Sequence, residues 1–77
     1  MTKRRTRVTN RIRLLRSECG QMTQAELAEK IGVTRQTVIA IEGGKYSPSL
    51  EMAFEIAHAL GRPLDEVFGF RSDLTDV

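Results

Sequence analysis

Apolar residues recur along this chain at spacings of three and four, which is the period of a helix packed on one side. Alternation with a period of two, which would indicate strands, is absent throughout. Gly, Ser and Thr interrupt the pattern at intervals of helical length and divide it into segments. The predicted helices are Arg11–Cys19, Gln24–Lys30, Arg35–Glu42, Leu50–Leu60 and Leu64–Phe68, and no strand is predicted.

Residues that start and stop helices support these boundaries. Thr23 and Glu26 have the spacing of a capping box, in which each residue caps the other. Gly32, between the second and third helices, permits a sharp reversal of the chain with a positive φ. A side-chain oxygen just before a helix can accept a hydrogen bond from its first turn. The expected N-caps are Asn10, Thr23, Thr34 and Ser49.

The apolar stripe of each helix predicts its buried face. Val38 and Ile41 of the third helix should point into the core. Cys19, at the end of the first helix, is expected to be a buried or half-buried apolar residue. The stripe expected on the fourth helix is Leu50, Ala53, Phe54, Ala57 and Leu60.

The composition describes one small globular domain. The chain has 77 residues, of which 40% are hydrophobic and 29% are charged, a balance typical of folded proteins. Its single cysteine excludes an internal disulfide and agrees with a reducing compartment, so we expect a cytoplasmic protein. No apolar run approaches the roughly 20 residues that cross a bilayer, so no membrane partner is expected.

Charge is distributed unevenly along the chain. Residues 1–16 carry seven cations and no acid, whereas residues 17–77 carry five cations and ten acids, which leaves a net charge of +2. Clustered Lys and Arg attract phosphate, so the basic segment indicates either a polyanion partner or a solubilising tail. We expect a basic flexible arm over residues 1–9, a folded domain over residues 10–70 and a C-terminal tail over residues 71–77.

The second and third predicted helices are separated by only a few residues. Ala28 is small where the two helices cross, and Gly32 makes the turn. Two short helices joined in this way are typical of a helix-turn-helix, whose second helix enters the major groove of DNA. The residues left on the outer face of that second helix are Arg35, Gln36, Ile39 and Ala40.

Further short motifs extend this pattern, and they read Thr23-Gln24, Leu27-Ala28, Ile31-Gly32-Val33, Thr37-Val38, Ile41-Glu42, Gly44-Lys45 and Pro48-Ser49-Leu50. Over residues 10–68 the chain strongly resembles the Cro/cI-type (XRE-like) helix-turn-helix transcriptional regulators. It looks most like their compact single-domain members, which carry TRQTVIAIE followed by GKYSPSL. The resemblance implies an all-α, five-helix, lambda-repressor-like DNA-binding domain. The turn from Cys19 to Met22 is one residue longer than in better-known members.

The resemblance places the first residues of the third helix against base edges. Arg35 can bind the O6 and N7 atoms of guanine, and Gln36 can bind the N6 and N7 atoms of adenine. Ile39 and Ala40 are apolar on an outer face, where a thymine methyl group would cover them. Packing of Ile39 against Tyr46 or against a partner chain is an equal alternative.

Contacts with the DNA backbone are expected around the third helix. Gln24 begins the second helix, whose free N–H groups favour a phosphate. The resemblance adds that a Gln here contacts the backbone and braces the first reading residue. The other expected contacts are Thr34, which is also a cap, Thr37, Lys45 and Tyr46, for which packing is an equal alternative. The arm residues expected to contact DNA are Lys3, Arg4, Arg5 and Arg7.

Two further groups of residues are assigned to structure and assembly. The resemblance implies a bridge between Arg16 of the first helix and Glu42 at the end of the third. An apolar cluster near the last helix is too large for so small a core, which predicts a homodimer interface. The interface residues expected are Leu64, Val67, Phe68 and Phe70.

Together these features predict a sequence-specific DNA-binding transcriptional regulator, which we expect to be a repressor that binds double-stranded DNA as a homodimer. The alternative is an antitoxin-like protein, or another protein-interaction module on the same fold, that binds a protein partner. The sequence has no catalytic triad, phosphate-binding glycine loop or metal-ligand spacing, so no enzyme activity, cofactor, metal or small-molecule ligand is expected.

Overall fold

Helices account for most of the chain in a computed structural model that describes residues 6–71. The elements in chain order are β1 (Val8–Asn10), α1 (Ile12–Glu18), α2 (Gln24–Ile31), α3 (Arg35–Glu42), α4 (Leu50–Leu60), α5 (Leu64–Val67) and β2 (Phe68–Phe70). α3 and α4 span the residues predicted for them, and α2 extends one residue further. The predicted five helices are therefore present, with a small antiparallel pair of strands in addition.

Side-chain caps begin α2 and α3. Thr23 Oγ1 accepts from the Glu26 N–H at 3.0 Å, and Glu26 Oε1 accepts from the Thr23 N–H at 2.9 Å, so the predicted capping box is present. Thr34 Oγ1 accepts from the Thr37 N–H at 3.2 Å. Gly32 has φ 75°, the left-handed conformation that lets the chain reverse between the two helices.

The apolar stripes of all five helices form the core. Burial of each large side chain contributes about 1.5–3 kcal/mol to the free energy of folding. Among the described residues no polar or charged residue is buried, so the core is apolar throughout. The most completely buried side chains are Ile12, Leu15, Leu27, Val38, Ile41, Ile56 and Val67.

The buried face of α4 differs from the prediction. Ile56 is buried together with Ala53, Ala57 and Leu60, and these four residues form one stripe at spacings of three and four. The predicted burial of Leu50 and Phe54 is wrong, since these side chains are 68% and 53% exposed. The reason is geometric: Leu50 lies in the first turn, beyond the core, and Phe54 lies beside the buried stripe.

A two-stranded ribbon corrects the prediction that the chain has no strand. β1 and β2 pair antiparallel, with Thr9 opposite Gly69, and the Arg71 N–H extends the pairing to the Arg7 carbonyl at 2.8 Å. Strands of three residues are too short to produce a detectable period-two pattern. The ribbon also takes residues 8 and 9 out of the predicted flexible arm.

The start and end of α1 correct two further expectations. Arg11 occupies the N-cap position without a side-chain hydrogen bond. Asn10 Oδ1 accepts from the Ile12 N–H at 3.1 Å, while Asn10 Nδ2 donates to the Ile41 carbonyl at 3.0 Å. Asn10 therefore lies one residue before the N-cap, the position predicted for it, but its side chain still accepts from the first helical N–H and also ties β1 to the end of α3. At the other end Cys19 is exposed, because α1 stops at Glu18 and leaves it in the turn.

Candidate nucleic-acid interface

α3 has one face in the core and the opposite face at the surface. Val38 and Ile41 are buried, as their spacing predicts. Arg35 and Gln36 are exposed, and Ile39, half-buried, does not pack against the core cluster. The outer face therefore begins with two polar side chains. A small apolar surface follows them, formed by Ile39 and the half-buried Ala40.

The two side chains that begin α3 have no partner in residues 6–71. Neither Arg35 nor Gln36 makes a side-chain hydrogen bond or ion pair with that part of the protein. A guanidinium and a primary amide are the two groups that bind purine edges in bidentate fashion. Both groups are thus available to an external partner.

The end of α3, in contrast, is held by a hydrogen-bonded ion pair. Glu42 Oε2 accepts from Arg16 Nε at 2.7 Å, and Glu42 Oε1 accepts from Arg16 Nη2 at 3.2 Å. Arg16 Nη1 also donates to the Met22 carbonyl at 2.8 Å. The Arg16 and Glu42 side chains are only 13% and 9% exposed. The bridge implied by the family resemblance is present, and it joins α1 to α3.

Gln24 lies in the first turn of α2, where a phosphate contact is predicted, but its side chain faces a different partner from the one expected. Gln24 Nε2 donates to Glu42 Oε1 at 3.1 Å. The expected bracing of Arg35 by Gln24 is absent, because the amide instead completes the coordination of the Glu42 carboxylate. The Glu26 N–H is taken by the Thr23 cap, so the Gln24 and Ala25 N–H groups remain the first-turn donors that a phosphate would use.

Hydroxyl and basic side chains flank α3 at both ends. The hydroxyl oxygens of Thr34 and Thr37 lie 3.1 Å apart in a mutual hydrogen bond, so each is partly committed to the cap of the helix. Lys45 and Tyr46 are exposed in the turn beyond Glu42. These positions surround the outer face of α3, where the sequence predicts contacts with the DNA backbone.

Part of the predicted arm falls outside the described residues, namely Lys3, Arg4 and Arg5. Arg7 is described and exposed. The Thr6 N–H donates to the Gly44 carbonyl at 3.3 Å. The first described residue therefore lies beside the turn that follows α3.

The predicted dimer residues divide into two groups. Phe70 is 62% exposed, and Leu64 and Phe68 are half-buried. Val67 is 0% exposed, so its assignment to a partner surface is wrong: its side chain is enclosed by the core of its own chain. An open groove of about 670 Å³ runs along this side, and its mainly apolar lining includes Val8, Pro48, Leu50, Leu64, Phe68 and Phe70.

Comparison with known proteins identifies the arrangement around α2 and α3. A family model described as helix-turn-helix matches residues 20–67, more than half of the chain. This chain belongs to the XRE-type helix-turn-helix family. Proteins of the family are DNA-binding transcription regulators.

Individual relatives agree with this membership. An HTH-type transcriptional regulator from Methanothermobacter thermautotrophicus is 59% identical over 58 residues, which cover 74% of this chain and 83% of the relative. The immunity repressor protein of Bacillus phage phi105 is 37% identical over 62 residues, or 80% of this chain and 42% of the repressor. A crystal structure from Bacteroides fragilis, designated a DNA-binding protein, has a TM-score of 0.73 at 29% identity and covers 80% of this chain and 98% of that one.

The sequence pattern does not indicate several residues that line a groove of this helix-turn-helix domain. An open groove of about 700 Å³ lies between α1 and the starts of α2 and α3, and Arg13, Ser17 and Gln21 line it. Arg13 is one turn before Arg16, which the resemblance assigns, and that spacing is the signal that could have placed Arg13 near the same surface.

Residues 6–71 show no feature that indicates membrane or metal binding. No helix there has the length and apolar character needed to span a bilayer. The same residues contain no group of three or more His, Cys, Asp or Glu side chains arranged to hold a metal ion.

Proposed function

We propose that this chain is a sequence-specific repressor that reads the major groove of DNA with α3 and binds as a homodimer. The observation that carries this proposal is the contrast within α3. Arg35 and Gln36 at its start are exposed and unpaired within residues 6–71, whereas Glu42 at its end is held by Arg16. A helix fixed in this way can present its first side chains to a duplex without rearrangement of the fold.

Each part of the proposed interface has a distinct task. Arg35 and Gln36 read purine edges, and each bidentate contact discriminates against the wrong base by about 1–3 kcal/mol. Ile39 and Ala40 approach thymine methyl groups. Backbone contacts set the position of α3 in the groove and carry no sequence information. The residues proposed for those contacts are Gln24, Thr34, Thr37, Lys45, Tyr46 and the arm residues Lys3, Arg4, Arg5 and Arg7.

We place the dimer contact at the apolar groove beside the ribbon. Phe70 and Leu50 are large apolar side chains exposed there, and Leu64 and Phe68 lie between them and the core. A second copy would cover this surface, and a two-fold axis can then set the two reading helices about 34–36 Å apart, one turn of DNA. The sedimentation mass of wild type should be that of a dimer at micromolar concentration, and Phe70→Ala should lower it.

A repressor role follows from occupancy of the operator, since a bound dimer excludes other proteins from that stretch of DNA. Similarity to a phage immunity repressor supports this choice. Cytoplasmic location is part of the same proposal, because a transcriptional regulator must share a compartment with the DNA that it binds.

Selection of bound sequences from random duplex DNA at near-physiological salt tests the proposal. The wild type should enrich a two-fold symmetric site, and a variant combining Arg35→Ala with Gln36→Ala should not. Lys30→Ala is a matched control, because Lys30 is exposed on α2 and lies outside the groove between α1 and α3.

The outcomes of the selection separate the competing functions. Enrichment of one motif by both wild type and the double variant would contradict the assignment of Arg35 and Gln36 as readers. Absence of any enriched motif with the wild type would instead favour an antitoxin-like or other protein-interaction module.

A further inference from the structure

The open groove lined by Arg13 and Arg35 is a further candidate contact surface. It lies between α1 and the starts of α2 and α3 and has a volume of about 700 Å³. Arg13 comes to it from α1, and Arg35 comes to it from the start of α3. The groove therefore runs from α3, which carries the proposed base-reading residues, to α1, for which no DNA contact is proposed so far.

The charges that line this groove do not cancel. Among residues 6–71, Glu42 is the only acid that lines the groove, and both of its carboxylate oxygens accept hydrogen bonds, from Arg16 and from Gln24. Arg13 and Arg35 have no acidic partner among residues 6–71. Two unpaired guanidinium groups thus line one open groove, which makes it attractive to an extended anion.

The neutral polar side chains of the groove also suit a phosphate. Ser17 and Thr23 provide hydroxyl groups, and Gln21 provides an amide. The turn that carries Gln21 is ordered by its own hydrogen bonds, since the Gln21 N–H donates to the Ser17 carbonyl at 3.2 Å and the Met22 N–H donates to the Arg16 carbonyl at 2.9 Å. Hydroxyl, amide and guanidinium groups are the side chains that most often contact DNA phosphates.

We propose that this groove receives the sugar-phosphate backbone of bound DNA, with Arg13 as a phosphate ligand. The inference rests on the proposed function, because insertion of α3 brings the Arg35 end of the groove against the duplex. A backbone that passes the start of α3 then continues along the groove to Arg13. Arg13 positions the protein without reading sequence, while Arg35 and Gln36 keep that task.

The salt dependence of binding by Arg13→Ala tests this proposal. Each phosphate contact contributes about 0.9 to the slope of log Kobs against log salt concentration, so the slope should fall in magnitude by that amount between about 50 and 200 mM salt. This decrease in slope should be equal on the selected duplex and on an unrelated duplex, since a phosphate ligand does not distinguish bases. Arg13→Lys keeps the charge and should keep the wild-type slope.

Lys30→Ala is the control, because it also removes one exposed positive charge that has no ion-pair partner in residues 6–71. It should retain the wild-type slope. An unchanged slope in Arg13→Ala, or an equal loss in Lys30→Ala, would overturn the inference. Circular dichroism should show that Arg13→Ala stays folded, since Ala favours a helix and Arg13 is exposed.

The same titrations distinguish this inference from the proposed function. A wild type that selects no sequence but binds the unrelated duplex through Arg13 would contradict sequence-specific regulation and support the phosphate groove. If the wild type selects a site and Arg13→Ala binds DNA as the wild type does, only the proposal that the groove binds phosphate is contradicted. A wild type that binds no duplex would overturn both.

Discussion

The two ends of α3 differ in what holds them. At its start the backbone is capped by Thr34, and the side chains of Arg35 and Gln36 have no partner in the described part of the chain. At its end Glu42 is bound by α1 and α2, and Asn10 of β1 donates to the Ile41 carbonyl. The difference shows how a small domain can orient a helix firmly and still leave its first side chains free for a ligand.

The largest effect is expected at the fixed end, from Glu42→Ala. This change leaves Arg16 without its partner in a site that is mostly closed to water, so the free energy of unfolding should fall by about 2–4 kcal/mol. Urea unfolding measures the loss as a lower midpoint at constant slope. Replacement of both partners, by Arg16→Met with Glu42→Leu, should recover much of the stability because no lone charge remains. Equal losses in the single and double variants would contradict this account.

Asn10→Ala tests the second attachment of the same end. It removes the donor to the Ile41 carbonyl and the acceptor for the Ile12 N–H, two contacts of a half-buried side chain. We expect a loss of about 1–2 kcal/mol in unfolding free energy. Thr9→Ala, at an exposed neighbouring position of β1, should change stability by less than about 0.5 kcal/mol. A loss for Asn10→Ala no larger than that of Thr9→Ala would remove Asn10 from the fixed end.

Thr34→Ala tests the start of α3, where it removes the side-chain cap of the helix. Loss of the hydrogen bond from the Thr37 N–H should cost about 1 kcal/mol of stability. Thr34→Ser retains an acceptor oxygen and should behave like wild type in thermal unfolding. If Thr34→Ala destabilised the protein more than Glu42→Ala, the contrast between the two ends would be reversed.

The smallest effect is expected from an exposed ion-pair group that lies away from α3. Arg62 bonds to Glu18 at 2.9 Å and to Glu66 at 3.1 Å, but its side chain and both partners are well exposed to solvent. Arg62→Ala should therefore cost less than about 1 kcal/mol, and high salt should abolish the difference from wild type. A salt-independent loss as large as that of Glu42→Ala would show that burial does not separate the two pairs.

The sequence predicts the helices well where local signals agree. α3 and α4 have Thr34 and Ser49 before them and glycine after them, and both span the predicted residues. The ribbon could not be predicted, because its strands are three residues long and pair across almost the whole described chain. The α4 stripe was misplaced because several apolar residues crowd that helix, and packing alone decides which of them faces the core.

In the candidate site, too, the features set by local sequence could be predicted and those set by packing between helices could not. Exposure of Arg35 and Gln36 follows from the burial of Val38 and Ile41 on the opposite face, which the helical period predicts. The hydrogen bond from Gln24 to Glu42 links residues 18 positions apart, so no local pattern indicates it. Arg13 was not assigned for a related reason: its position in the groove depends on how α1 lies against the starts of α2 and α3.

The central claim is that the start of α3 is free to contact DNA while its end belongs to the fold. Nuclear magnetic resonance of labelled protein titrated with the selected duplex tests it most directly, through the side-chain N–H signals of Arg35, Gln36 and Arg16. The Arg35 and Gln36 signals should shift on binding, and the Arg16 Nε–H signal should keep its slow exchange with solvent, because its hydrogen bond to Glu42 Oε2 persists. Shifts confined to α4 and the ribbon, with Arg35 and Gln36 unchanged, would contradict the claim.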